Sequence, residues 1–109
     1  MTTRAILGAA LLALAATAHG QGEVKGDVKR AKEKMSLCSG CHGIPDYRTA
    51  YPEVYRVPMI AGQGPAYIVK ALEAYKSGER NHPSMRAIAR SLSAQDMADI
   101  AVYYGTAAK

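Results

Sequence analysis

Phenylalanine and tryptophan are missing from the sequence, and all seven of its aromatic rings belong to tyrosine. Small cores usually lean on large apolar rings; here every large ring carries a hydroxyl, so something other than aromatic packing must fill the centre. Cysteine is scarce as well, with two residues, which excludes a disulfide-dense scaffold. The longest apolar run, Ala5 to Ala16, falls short of the roughly 20 residues that a membrane-spanning helix needs. Charged residues make up 21% against 49% hydrophobic, with ten glycines and five prolines, too apolar for disorder and too aperiodic for a fibre. No alternating strand pattern and no internal repeat stand out. At 109 residues the chain is expected to form one globular domain.

The amino-terminal stretch reads as a targeting segment. Met1 to Arg4 is a short positive start, the apolar run follows, and Ala16-Thr17-Ala18 and Ala18-His19-Gly20 each offer a small-x-small site. A secretory signal over 1–20, cleaved after about residue 18 or 20, is therefore expected, with residues 21–109 as the exported, periplasmic domain. No cysteine follows the run to accept a lipid, and no stable membrane insertion is expected once the signal is removed. The mature part keeps 13 basic and 9 acidic residues, a net charge of +4. A domain this small often recruits a metal, a disulfide or a cofactor to stabilise it.

The mature chain reads as three or four helices. Asp27 can cap a first helix whose stripe runs Val28, Ala31, Met35, Cys38, after which Gly40 and Gly43 are expected to loosen the chain. Ile44 to Pro58 carries three prolines with Tyr47, Tyr51 and Tyr55 and suits an ordered loop. Pro65 opens a second helix with Tyr67, Ile68, Ala71, Leu72 and Tyr75 inward, and Ser77-Gly78 ends it. A polar loop over 79–84 leads to a short helical piece over 85–89. Ser93 to Asp96 then makes a capping-box start for a last helix with Met97, Ile100, Ala101 and Tyr104 inside.

Both cysteines and one of three histidines fall in Cys38-Ser39-Gly40-Cys41-His42. A shuffled chain of this composition would produce that arrangement on the order of 1 time in 2,000, so the spacing carries information. Two thiols one helical turn apart can form thioethers with the vinyl groups of a haem, while the adjacent imidazole becomes an axial ligand of the iron. The competing readings are weaker. A disulfide between Cys38 and Cys41 closes a tiny loop, a thioredoxin-type pair needs a βαβ context, and zinc needs a fourth ligand from His82 or a carboxylate.

The motif Cys38 to Gly43, then Pro58 to Gln63, Tyr67-Ile68 with Leu72, Tyr75 to Gly78, Met85 to Ala89 and Leu92-Ser93, resembles class I cytochromes c of the c4 and c553 type. The resemblance covers nearly all of the mature chain, departing between Gly43 and Val57, where a tyrosine-rich segment replaces a shorter Gly- and Asn-rich loop. It implies an all-α class I cytochrome c fold, three to four helices wrapped around one covalently attached haem c. It also implies that the second axial ligand precedes the I-A-x-x-L-S segment, which selects Met85 over Met59, His82 or an open iron, and that the Pro58 carbonyl holds the outer N–H of His42. Met35 and Met97 lie on apolar helix faces and read as core. Connectivity agrees with Met85, because the chain passes through the helix at 65–77 before reaching it. Tyr47, Arg48, Tyr51, Tyr55 and Arg56 are candidates to hydrogen-bond the haem propionates, or they pack the loop.

The expected function is a periplasmic, non-enzymatic carrier of single electrons between larger redox proteins, with His42 and Met85 on the iron. Lys25, Lys29, Arg30, Lys32 and Lys34 are either a docking face for an acidic partner or a solvated helix face. Nucleic acid binding has no basic-aromatic motif behind it. The alternatives are a haem subunit of a dehydrogenase or oxidase complex and a small-ligand sensor or peroxidase-like protein.

Overall fold

The computed structural model describes residues 22–50 and 54–107; the expected signal segment and Tyr51 lie outside the described residues. Five helices run along the described chain: α1 Val28–Lys34, α2 Ser36–His42, α3 Pro65–Ser77, α4 Pro83–Arg90 and α5 Ala94–Thr106. The count exceeds the expected three or four because the first helix divides at Met35. Its carbonyl accepts from Cys38 N at 3.0 Å and from Ser39 N at 2.8 Å, so one tight turn re-aims the chain between α1 and α2. Gly40 does not loosen anything: α2 runs through it, and the helix ends at Gly43, whose N–H returns to the Ser39 carbonyl.

Local chemistry explains the other boundaries. The Asp27 carboxylate accepts the backbone N–H groups of Lys29 and Arg30, satisfying donors that a helix start leaves unpaired. Pro65 occupies the first turn of α3, and Gly78 closes that helix at φ 92°, a left-handed conformation that suits glycine. At α5, Ser93 and Asp96 form a reciprocal capping box, with the hydroxyl accepting from Asp96 N and the carboxylate from Ser93 N. The fourth helix starts earlier than its apolar pattern suggests. The His82 ring caps it, accepting from Met85 N at 3.3 Å, and Pro83 takes the first position, so Met85 stands in the first turn of α4 rather than in a loop.

The fifth helix is the spine. It packs on α1 and on α3, and α3 packs in turn on α4. Ile68 and Leu72 of α3, Leu92, and Met97, Ile100, Ala101 and Tyr104 of α5 close into one buried cluster that also takes in Cys38. The expected inner face of α3 is split. Ile68 and Leu72 are buried, whereas Tyr67 is 53% exposed and, with Ala71 and Tyr75, faces a cavity instead of the core. Between α2 and α3 the chain is irregular, pinned by an antiparallel bridge of Arg48 with Arg56 and by Thr49 N to Tyr55 O and Val57 N to Tyr47 O.

Candidate cofactor site

On α2 the cysteines stand three residues apart, so they share one helix face, with His42 following at the last helical position. Their surroundings differ. Cys38 is buried in the core cluster, where removal from water pushes its thiol pKa up, while Cys41 and His42 are half-buried on the wall of a cavity of about 380 Å³. No disulfide joins the two sulfurs.

His42 is oriented by a neighbour on the cavity lining, Pro58. Its Nδ1 lies 2.7 Å from the Pro58 carbonyl oxygen, which can only accept, so Nδ1 carries the proton and Nε2 keeps its lone pair. This is the arrangement that fixes the ring of a metal-ligating histidine. Met85 and Met59 are the methionines on the same wall. Met97 is 2% exposed in the core and Met35 packs against it, which accounts for both as filling. Met59 follows directly after the residue that holds His42 and is 53% exposed, whereas Met85 comes from α4, with its backbone N–H fixed by His82.

Ile60, Ile68, Ala71, Leu72 and Ile88 make most of the remaining surface apolar. Among the described residues the charged ones on it are Arg56 and Arg80, with no carboxylate. A flat apolar macrocycle with two carboxylates at one edge matches such a lining: aliphatic walls, an imidazole with a free lone pair, a thioether, a thiol at the rim and cations. The residues present therefore fit a haem. Among the described residues no three His, Cys, Asp or Glu side chains gather as a metal cage.

The propionate candidates separate. Tyr55 and Arg56 line the cavity; Tyr47 and Arg48 do not, Arg48 being exposed and Tyr47 joined through its backbone to Val57. Arg56 is tied to Asp46 at 2.8 Å. Arg80, Tyr75 and Thr49 reach the wall without having been picked out as site residues from sequence. A lone arginine in a polar loop carries no local signal, and only the turn after α3 brings it there. The basic run lies elsewhere: Arg30 bonds Asp99 and Lys34 bonds Asp96 across the α1–α5 seam, and none of its five members lines the cavity.

No family model matches the chain. Curated relatives do. Cytochrome c4 of Pseudomonas aeruginosa is 35% identical over 101 residues, covering 93% of this chain and 47% of its own length. Cytochrome c-554(548) of Halomonas halodenitrificans is 34% identical over 84 residues, 74% of this chain and 96% of that protein. The cytochrome subunit of sulfide dehydrogenase of Chlorobaculum tepidum is 33% identical over 78 residues, 71% of this chain and 66% of its own. The all-helical fold and the Cys-x-x-Cys-His motif thus have their explanation: the chain belongs to the class I c-type cytochromes. These are electron carriers rather than enzymes, and membership implies covalently bound haem c with its iron. The chain spans about half the length of the cytochromes c4 that it matches.

Proposed function

We propose that the protein is an exported, periplasmic cytochrome c with one haem, moving one electron at a time between larger redox proteins. Cys38 and Cys41 would hold the group covalently, and His42 and Met85 would ligate its iron. The iron supplies the one-electron couple. The chain supplies retention, ligation and a dry apolar wall, and a thioether ligand together with low dielectric favours a raised potential. The observation that carries the reading is that His42, with Nδ1 engaged by Pro58, and Met85 of α4 share one aliphatic cavity with Cys41.

The test is spectroscopic. Protein secreted into the periplasm should give an alkaline pyridine spectrum of a haem bound by two thioethers, one haem per chain, and a sulfur-to-iron charge-transfer band when oxidised. A reduced protein that binds carbon monoxide tightly would instead indicate an open iron.

A second reading has its own support. One relative is named as the cytochrome subunit of a sulfide dehydrogenase, and Leu37, Met59 and Tyr67, each about half exposed, stand together at the cavity. A haem subunit docked through that rim is the alternative. Gel filtration of native extract separates the two, because a free shuttle elutes near its own mass.

A further inference from the structure

Four side chains that pack against one another line one part of the cavity. The Arg80 guanidinium lies over the Tyr75 ring, 4.7 Å from its centroid. Tyr75 meets His82 edge-on, with centroids 6.3 Å apart and planes at 81°. His82 in turn stacks on Tyr55 at 4.0 Å. The set joins the end of α3, the cap of α4 and the loop before α3, three segments that share no other ring contact among the described residues. Two members are fixed from behind. Arg80 N donates to the Ala74 carbonyl beside the left-handed Gly78, and His82 uses Nδ1 to cap α4, leaving Nε2 with the proton.

Charge then distinguishes Arg80 from its neighbours. Among the described residues Arg56 and Arg80 are the two cations on the cavity wall, and Arg56 is engaged by Asp46. No carboxylate among the described residues pairs with Arg80. A guanidinium lying over a ring keeps its in-plane N–H edge open, and that edge matches a carboxylate with two parallel bonds. From this we infer that Arg80 is the propionate-binding cation of this site, with Tyr75 positioning it and the His82–Tyr55 stack closing the same edge. The inference rests on the haem reading above.

A positive charge held at the haem edge disfavours the ferric form, so it raises the reduction potential. The test uses secreted holoprotein: wild type, Arg80→Gln, Arg80→Lys, and Lys70→Gln as a control on an exposed α3 pair. Each is assayed for covalent haem, for midpoint potential at neutral pH, and for the propionate bending band by resonance Raman. Arg80→Gln should keep its haem, shift to lower potential and move the propionate band; Arg80→Lys should hold most of the potential but still move the band, and Lys70→Gln should change neither. If Arg80→Gln loses its haem, the band in Arg80→Lys decides. Loaded protein with an unmoved band in Arg80→Lys, or with unmoved potential and band in Arg80→Gln, overturns the assignment. Wild type without covalent haem would overturn the reading beneath it instead.

Discussion

Asp99 of α5 takes a forked pair of bonds from Arg30 of α1, with Nε at 2.9 Å and Nη2 at 3.0 Å. The carboxylate is 2% exposed and also accepts from Asp27 N and Gln95 Nε2, so every oxygen is used. The Arg30 guanidinium holds its pKa at about 2, against an ordinary 3.8. Because the folded value is the lower one, the stability it adds is fully present above the ordinary value and is lost as pH falls through about 2. Asp99→Asn should therefore cost about 2 kcal/mol at neutral pH, leaving Arg30 partly unpaired, and progressively less on acidification. Urea melts of wild type and variant at three pH values check this. A pH-independent difference would contradict it.

The same seam constrains the segment before α1. A side chain at Gly26 would overlap the Ala98 carbonyl and press on Asp99 N, backbone that cannot rotate away. Gly22 meets nothing within 4 Å. Gly26→Ala should destabilise by about 1–3 kcal/mol, in the manner of an overpacked core, while Gly22→Ala should melt like wild type. Equal melting temperatures for the two variants would show that residues 22–27 are not docked on α5.

How far the sequence sufficed depends on the distance over which each feature is decided. The Asp27 cap, Pro65 at the start of α3 and the Ser93–Asp96 box involve residues within four of each other, so local chemistry determines them and they were legible. The Met35 break was not, since Val28 to Cys38 keeps an unbroken apolar stripe with no glycine or proline to mark a boundary. His82 was weighed as a ligand, not as a cap, because capping rankings favour Ser, Thr, Asp and Asn. The spacing puts Cys38 and Cys41 one turn apart, yet Cys38 sits in the core cluster and Cys41, with His42, lines the cavity, a split that depends on tertiary packing. The pairs Arg30–Asp99 and Lys34–Asp96 were not legible, because each joins residues more than 60 apart in the chain. Arg80 went unseen because a lone arginine in a polar loop carries no local signal, although its contacts, Tyr75 and Ala74, are near in sequence.

The cavity itself predicts dependence on the cofactor. Ile68, Leu72 and Met85 belong to the core cluster or pack on it, and all three also line the cavity, so one wall of the core is completed only by what occupies that space. With no Phe or Trp to close it, the Cys38→Ala, Cys41→Ala double variant should fail to retain haem and show weak helical circular dichroism without a cooperative melt. A double variant that melts cooperatively would show that the buried apolar cluster suffices alone.

The ligand assignment turns on which methionine can serve opposite His42. Met59 follows Pro58, whose carbonyl accepts from His42 Nδ1, so its backbone is tethered to the histidine's own support. Met85 reaches the cavity from the first turn of α4, on the far side of α3 in the chain, with its N–H held by the His82 ring and Pro83 stiffening the approach. A ligand held on a capped helix loses little entropy on binding. Met85→Ala should therefore abolish the sulfur-to-iron charge-transfer band of the oxidised protein and lower the potential, because a thioether favours the ferrous state. Met59→Ala should keep the band and change the potential little, since that side chain is half in solvent. Optical spectra and potentiometric titration of both variants decide the matter: loss of the band in Met59→Ala with retention in Met85→Ala would reverse the assignment.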